Sequence, residues 1–469
     1  MLSKLRAGLQ SQIHVGILLT FLLIPVWYRL PQSPIFARLY VTRFLIFLPM
    51  LWAIFSWIVL GAPGLKAFLQ SRARVFWAFA LFLLALWAFA SQIWAFQRVA
   101  YPEVGGSAAL QFGVSALFAF VIACAAPSPR AIIPVLLVGL FLNAAIVIGQ
   151  ALNQGSLGLI FLGEFPFTLD TVGVSILRSG VLRWVRPYGL LPHPNLAAGA
   201  LLVGILAATA WLLSLRRWQQ IAGILLVAFG GWALLLSFSR AAWGGLVAGG
   251  LALLLFLRPH LRRVETRVVL AVAGGLTLVV GAAFFAAYQP LLAARAGVGE
   301  ESVELRSVSD RIVFINFALR SISERPILGV GIGNFPWRTS YYLAETTFAL
   351  RGDNVHFVLL AAAAELGIVG LVLLVAAILA GVTAIIKGLR APLDEINTND
   401  ERAARLAFFA IFIALLAVGV LDHYPWSQLH FQVAWWGSLA AAMPRLPYNQ
   451  GQAQPVKRGD YEIQAEKEV

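Results

Sequence analysis

The segment VHFVLLAAAAELGIVGLVLLVAAILAGVTAII, residues 355–386, decides the fold class of this chain. It is apolar over more than the roughly 20 residues that an α-helix needs to cross a bilayer. Its one acidic residue is Glu365, and it contains no lysine or arginine. The segment therefore predicts a membrane-spanning helix, entered from a polar stretch that ends at Asn354.

Similar apolar runs recur along the whole chain of 469 residues, of which 60% are hydrophobic and 12% charged, with a mean hydropathy of +0.83. This composition excludes an ordinary soluble globule. We predict an all-α, polytopic membrane protein that forms a single transmembrane domain over residues 1–469. About twelve spanning helices are expected, near residues 13–28, 39–60, 75–95, 108–126, 132–152, 188–213, 221–236, 241–257, 268–288, 355–386, 406–421 and 426–443.

Both ends of the chain are expected on the cytoplasmic side. Lys4 and Arg6 precede the first apolar run and no A-x-A site follows it, so this run is predicted to be an uncleaved span. Residues 447–469 are polar and charged, which predicts a disordered cytoplasmic tail. The single cysteine, Cys124, lies in an apolar run, which excludes an intrachain disulfide and a thiol-rich metal site.

The net charge of +14 divides unequally between the two sides of this topology. The inner loops receive every lysine, as the positive-inside rule requires. The outer side keeps only arginines, whose planar guanidinium suits phosphate groups. An anionic ligand at the outer membrane surface is therefore expected, rather than nucleic acid. The outer arginines include Arg178, Arg183, Arg186, Arg240, Arg295, Arg306, Arg311, Arg320, Arg325, Arg338 and Arg351.

The largest outer loop, predicted over residues 289–354, contains the longest polar interval of the chain. Ser309 is expected to cap a helix with Arg311 in its first turn, and Pro326 is expected to stop that helix. The glycines of GVGIGNF, residues 329–335, are expected to let the backbone turn. A dinucleotide-binding fingerprint is excluded because no strand or βαβ unit accompanies them.

The end of this loop carries a candidate base. His356 stands at the mouth of the next helix, behind Asp353 and Asn354 as possible caps. A helix N-terminus disfavours positive charge, so a neutral imidazole there is suited to accept a proton. Glu365 lies about two and a half turns further along, away from the histidine's face. It is expected to be an interhelical polar partner rather than a catalytic acid.

Polar groups also stand at the membrane entrance of a helix in RWVRPYGLLPHPNLAAGAL, residues 183–201. Arg186, His193 and Asn195 surround Pro192 and Pro194, which break helical hydrogen bonding. Irregular backbone at membrane depth is tolerated where it is buried in protein or lines a wet cavity. A cavity lining and a purely structural kink are both consistent with the pattern.

Two short outer turns add further candidates. Arg240 lies in LLLSFSRAAWGG, in a short turn between two apolar helices. An arginine held there more often faces a cavity or a partner than merely extends to the membrane interface, so a functional role is favoured. Ser237 and Ser239 lack the G-x-S-x-G context of a nucleophile. Asp422 and His423, in LDHYPWSQLH, could join the same cavity or serve as a cap beside an aromatic anchor.

Together these motifs resemble a known family. SFSRAAW, DRIVFINFALRSISERPILGVGIGNF and VHFVLLAAAAELGIVG occur in the order of the signatures of the O-antigen ligase and polymerase superfamily of bacterial inner membranes. RPYGLLPHPN is similar to the family's earlier outer segment. The resemblance covers roughly residues 186–370. Phe357 follows His356 where many members have asparagine.

The resemblance implies a metal-independent, inverting glycosyl transfer on the periplasmic face of the inner membrane, without a cofactor. The donor would be a glycan linked to undecaprenyl diphosphate, and the acceptor a hydroxyl of a lipid or glycolipid, typically the lipid A core. Arg240 and Arg311 would stabilise the diphosphate leaving group, and His356 would be the general base. The residues expected to bind diphosphate or glycan are Arg186, His193, Asn195, Asn354, Arg351 and His423.

Other functions remain open on the sequence alone. A polymerase would use the same donor with another lipid-linked repeat unit as acceptor, and a protein O-oligosaccharyltransferase would differ only in the acceptor. A transporter of lipid-linked glycans would show internal repeats and paired broken helices, and no repeat is evident. The sequence also lacks a D-x-D pair and a local cluster of carboxylates and histidines, as expected without a metal.

Overall fold

A computed structural model describes residues 2–30, 39–212, 217–257, 264–296, 302–345, 353–390 and 398–444. These residues form a helical protein with one small hairpin. The helices are α1 (Leu2–Leu22), α2 (Phe47–Val59), α3 (Leu65–Leu69), α4 (Arg72–Ala90), α5 (Pro102–Ala125), α6 (Pro129–Asn153), α7 (Pro194–Trp211), α8 (Arg217–Leu236), α9 (Arg240–Phe256), α10 (Val264–Ala287), α11 (Gln289–Arg295), α12 (Ser302–Glu324), α13 (Phe335–Ala344), α14 (Val358–Leu389), α15 (Asn399–Val418), α16 (Tyr424–Ser427) and α17 (Leu429–Ala442).

Every apolar segment predicted to span the membrane overlaps one of these helices. Six helical segments among the described residues are long and apolar enough to cross a bilayer, in α4, α5, α6, α8, α10 and α14. Shorter apolar helices occur in α1, α2, α7 and α9. The helical membrane fold is therefore confirmed, while the count of twelve spans stays a prediction. The predicted tail, residues 447–469, lies outside the described residues.

The helices begin where local chemistry favours a start. Pro102 and Pro129 occupy the first turns of α5 and α6, where a missing backbone N–H costs no helical hydrogen bond. At α15 the Thr398 hydroxyl accepts a hydrogen bond from Glu401 N at 3.3 Å. This T-x-x-E spacing is that of a capping box.

Close packing of α9 against α15 fixes the position of Arg240, the first residue of α9. A Cβ atom added to Gly245 would lie 2.9 Å from Ala414 O, and one added to Gly249 would lie 2.8 Å from Ala410 O. Small residues four apart allow two membrane helices to approach closely. Because α15 ends shortly before residue 422, the same contact brings Arg240's helix towards the loop that carries Asp422.

A two-stranded antiparallel hairpin precedes α7, where the sequence predicted only a loop. It consists of β1 (Ile176–Ser179) and β2 (Leu182–Val185), paired with Ile176 opposite Val185. Gly180 has a φ of +57°, which suits the tight turn between the strands. Trp184 packs edge-on against Tyr288 with the ring centroids 5.2 Å apart. The hairpin is thereby fixed against the junction of α10 and α11.

The helix α14 is interrupted at Gly367, whose φ is +67°. The break frees backbone carbonyls, and residues 326–334, here called the glycine turn, supply donors to them. Val330 N donates to Ala364 O at 3.0 Å, and Gly331 N donates to Glu365 O at 2.8 Å. The glycine turn is thus hydrogen-bonded into an opening of a membrane helix, and irregular backbone at this depth is satisfied by protein.

Glycines 329, 331 and 333 have φ values of +68°, +95° and +71°. The prediction that these glycines turn the backbone is confirmed. The prediction that Ser309 caps the preceding helix is wrong, because α12 begins at Ser302 and Arg311 lies well inside it. The polar pattern around Ser309 belongs to a longer amphipathic helix.

α12 is joined to α13 through Glu324. The carboxylate accepts hydrogen bonds from Arg320 Nε at 3.0 Å, from Tyr342 Oη at 2.7 Å and from Arg338. Burial alone would raise the pKa of Glu324, but the bonds from Tyr342, Arg338 and Arg320 outweigh it and lower the pKa to about 2. The ionised carboxylate therefore holds the helix that carries Arg311.

Candidate active site

Arg186 lies buried between β2 and α7, and its guanidinium donates to three different segments. Nε donates to Ser237 O at 2.7 Å, Nη1 to Ser175 Oγ at 3.1 Å and Nη2 to Asn195 Oδ1 at 2.6 Å. A buried guanidinium needs such acceptors to offset its desolvation. Arg186 therefore fixes the start of α7 against the loop between α8 and α9.

Asn195 continues this connection towards the C-terminal part of the chain. Its Nδ2 donates to Asp422 Oδ2 at 2.7 Å. Because its Oδ1 accepts from Arg186, the amide orientation follows from its two neighbours. Asn195 thus links the guanidinium of Arg186 to the buried carboxylate of Asp422.

Asp422 is the point at which two histidines meet. Its Oδ1 lies 3.5 Å from His356 Nδ1, an ion-pair distance at which no hydrogen bond forms, and accepts a hydrogen bond from the backbone N–H of His423 at 2.8 Å. The centroids of the His356 and His423 imidazole rings are 5.2 Å apart. Burial would raise the pKa of Asp422, but its interaction with His356 and the nearby charge of His423 outweigh burial and lower the pKa below its ordinary value. Asp422 is thus an ionised partner for an imidazolium.

His423 is the residue immediately before α16. Its Nδ1 is 2.7 Å from Ser427 Oγ, and its Nε2 is 3.8 Å from Asp353 Oδ1. Burial lowers the pKa of His423, although Asp422 and Asp353 oppose that shift. His423 thus lies beside His356, while its role in binding diphosphate or glycan stays a prediction.

His193 lies at the edge of the same group and accepts a hydrogen bond at Nδ1 from Asn195 N at 3.1 Å. Its side chain is exposed. His193 thus directly precedes α7 and contacts its second residue.

The turn before α9 brings Arg240 close to the same network. Phe238 has a left-handed φ of +50°, and its carbonyl accepts from Arg295 Nε at 3.1 Å. Arg240 Nη1 donates to Arg295 O at 3.1 Å. Since Ser237 O of the same turn accepts from Arg186, two outer arginines predicted from separate motifs converge on one structural element.

The convergence of these loops agrees with one comparison to known proteins. Residues 224–375 match the family model described as O-Antigen ligase. For this part of the chain, the match supports the O-antigen ligase superfamily. Members of this family are membrane enzymes of the glycosyltransferase type that use lipid-linked glycans. No curated protein matches the chain.

The segment that matches the O-antigen ligase family contains Arg240, Arg311 and His356 but ends before Asp422. It also begins after Arg186 and Asn195. The network described above therefore joins residues inside the matched segment to residues on both sides of it.

Arg311 is a predicted site residue that is not joined to this network by the contacts of the described residues. Within the part of the chain that the structure describes, no hydrogen bond or ion pair links Arg311 to Asp422 or either histidine. A shared pocket of Arg240, Arg311 and His356 stays a prediction. Arg351 lies outside the described residues.

Asn354 is buried, and its Oδ1 accepts from Val355 N at 3.0 Å. The expectation that Asp353 and Asn354 cap the next helix is wrong, because α14 begins at Val358 without a side-chain cap. Instead, Val358 N donates to Gly419 O at 2.7 Å. This bond ties the start of α14 to the end of α15.

His356, Asp422 and His423 could hold a metal ion, since one ligand atom from each lies within 4.8 Å of the others. The cluster is not evident from the sequence, because residue 356 is distant in the chain from residues 422 and 423. Both Asp422 oxygens already accept hydrogen bonds from Asn195 and from the His423 backbone. These bonds favour a carboxylate that positions imidazoles over one that binds a cation.

An apolar groove of about 670 Å³ lies elsewhere, between α1 and α2. Leu19, Leu48 and Trp52 are among its exclusively apolar lining residues. It offers no group for acid, base or electrostatic chemistry, so the polar network remains the candidate active site.

Proposed function

We propose that this protein transfers a glycan from undecaprenyl diphosphate to an acceptor hydroxyl at the periplasmic face of the bacterial inner membrane, as an O-antigen ligase does. The observation that carries the proposal is the continuous contact from Arg186 through Asn195 and Asp422 to His356. It combines a candidate base, an anionic partner for that base and a cationic anchor. The match to the O-antigen ligase family supports the same chemistry.

His356 is assigned the role of general base. It would take the proton of the acceptor hydroxyl as the acceptor oxygen bonds to the anomeric carbon. The bond from that carbon to the diphosphate oxygen breaks at the same time, and its electron pair leaves with the diphosphate. Asp422 would stabilise the imidazolium formed at His356. Attack from the face opposite the leaving group inverts the anomeric configuration.

Arginines are assigned to the leaving group, whose negative charge increases as the glycosidic bond breaks. Arg240 is half-buried at the start of α9, on the turn that also receives Arg186. Preorganised donors at such a position stabilise developing charge more than they do in water. Arg311 is assigned the same role. Arg186, which has three protein acceptors, additionally positions Asn195 and Asp422.

Reconstitution with defined substrates tests this function. The purified protein in liposomes would receive an undecaprenyl-diphosphate-linked glycan together with a lipid A core acceptor, and the products would be analysed by mass spectrometry. We expect the mass of the acceptor to increase by the mass of the glycan, and His356→Gln to lose this product. Folded protein that yields no glycosylated product with any acceptor hydroxyl would overturn the proposal.

The same experiment separates the related functions. A polymerase would extend a lipid-linked repeat unit and leave the lipid A core unmodified. A protein O-oligosaccharyltransferase would modify a serine or threonine of an acceptor protein. A transporter would move the intact donor across the liposome membrane without forming a new bond.

A further inference from the structure

Glu365 is a fully buried acid in a membrane helix, at 1% exposure, and the proposed reaction does not use it directly. Its Oε2 accepts a hydrogen bond from the indole N–H of Trp426 at 2.8 Å. Its Oε1 is also buried and has no hydrogen-bond partner among the described residues. Burying a carboxylate is costly unless donors compensate it, so the bond from Trp426 matters for this side chain. Two segments that are distant from Glu365 in sequence contact it.

One of these segments is α16, which directly follows Asp422 and His423. Trp426 is buried, and its backbone N–H donates to His423 O at 2.9 Å. The indole bond to Glu365 therefore fixes the single turn that begins at His423. A displacement of this turn would move His423 and the adjacent Asp422 relative to His356.

The other segment is the glycine turn, which holds Glu365 through the backbone as well. Gly331 N donates to Glu365 O at 2.8 Å. A Cβ atom on Gly329 would lie 2.4 Å from the same carbonyl oxygen, so the two segments are in van der Waals contact. Glu365 thus contacts the glycine turn through its main chain and α16 through its side chain.

We propose that Glu365 is a positioning residue that joins α14 to the glycine turn through its main chain and to α16 through its carboxylate, and thereby sets the separation between His356 and the Asp422–His423 pair. His356 lies two residues before α14, whereas Asp422 and His423 directly precede α16. Trp426 links these two elements through its indole bond to Glu365. The expected effect on turnover rests on the proposed function, whereas the expected effect on the position of His423 does not.

Turnover measurements test the catalytic consequence. Glu365→Gln keeps the size of the side chain but replaces one acceptor by a donor, and Trp426→Phe removes the indole N–H. We expect each variant to lower kcat by about tenfold to a hundredfold with KM nearly unchanged, because small misplacements of catalytic groups have effects of this size. The double variant should be no slower than the slower single variant, since both changes remove one hydrogen bond.

Glu401→Gln is the matched control, because Glu401 is also a buried helical carboxylate and bonds to Ser128 in a different part of the protein. It should leave kcat unchanged. Losses in the Glu365 and Trp426 variants that are fully additive, or that only follow the amount of folded protein, would overturn the proposal.

Chemical labelling of His423 tests the structural consequence without any glycan substrate. Diethyl pyrocarbonate modification would be followed by mass spectrometry in the full-length protein. We expect faster labelling of His423 in Glu365→Gln and in Trp426→Phe, and an unchanged rate in Glu401→Gln. Unchanged labelling in the first two variants would overturn the positioning role even if the protein proves to have another activity. Faster labelling without glycan transfer in the parent protein would contradict only the proposed function.

Discussion

Asn195 Nδ2 donates a hydrogen bond to Asp422 Oδ2 at 2.7 Å across 227 residues of sequence. The bond joins the first turn of α7 to the loop after α15. Asn195 also accepts from Arg186, and Asp422 faces His356. A change at either end of this connection should therefore affect the candidate base.

Asp422→Asn should lower kcat strongly while the protein still inserts in the membrane. The amide cannot stabilise an imidazolium as a carboxylate does, and general base catalysis contributes about 10²- to 10⁴-fold. We expect kcat to fall by about 10²-fold with little change in KM, measured by steady-state glycan transfer. Asp353→Asn is the control, because Asp353 is more exposed and 3.8 Å from His423. Equal activity of Asp422→Asn and the parent would remove Asp422 from the mechanism.

Arg186 and Asn195 should be energetically coupled. Arg186→Met leaves Asn195 Oδ1 without its donor, and an unsatisfied buried polar group costs about 1–3 kcal/mol. Thermal unfolding of Arg186→Met, Asn195→Leu and the double variant in detergent should show a coupling energy of about 0.5–3 kcal/mol. Strictly additive destabilisation would contradict the direct contact.

Arg240→Ala and Arg311→Ala should each reduce glycan transfer, because each removes a proposed donor to the diphosphate. Losing one preorganised donor of this kind typically costs about 10²- to 10³-fold in kcat. Transfer rates would be compared at equal amounts of membrane-inserted protein. Arg183→Ala is the control, since Arg183 forms an exposed ion pair with Asp170 away from both test residues. Near-normal rates for both test variants would rule out the arginine clamp.

Chelation should leave the activity unchanged. His356, Asp422 and His423 are close enough to bind a cation, but the Asp422 oxygens already have protein donors. Transfer would be measured after treatment with EDTA and again after addition of Mg²⁺ or Mn²⁺. A loss with EDTA that a divalent cation restores would show that the three residues form a metal site and that metal-independent transfer is the wrong mechanism.

The Glu324 contacts should stabilise the protein in a pH-dependent manner. The pKa of Glu324 is lowered to about 2, against about 4.3 in an unfolded chain, so the unfolded chain binds a proton first as the pH falls. The stabilisation is complete above pH 4.3 and is lost as the pH falls towards 2. Glu324→Gln should therefore unfold at a lower temperature than the parent at pH 6, and the difference should shrink at pH 3. A constant difference across this range would contradict the shift.

The positions of the helices followed from hydropathy because each apolar run is long enough to be identified locally. Hydropathy did not predict the hairpin before α7, because its four-residue strands give only a short alternating pattern on either side of the turn at Gly180. The true start of α12 was missed because Ser309 and Asp310 imitate a cap inside a longer helix. The break at Gly367 was also missed, since a single glycine within an apolar run does not indicate which segment will fill the gap.

A helical membrane protein with arginines and histidines in separate polar loops follows from composition and periodicity, which are local properties. The order of the motifs also pointed to the superfamily. Which polar groups come together follows from the three-dimensional packing: Asp422 beside two histidines, Asn195 between Arg186 and Asp422, and Glu365 against Trp426. These contacts depend on how membrane helices pack and on backbone breaks that expose hydrogen-bonding groups, and neither is encoded in the spacing of residues along one segment.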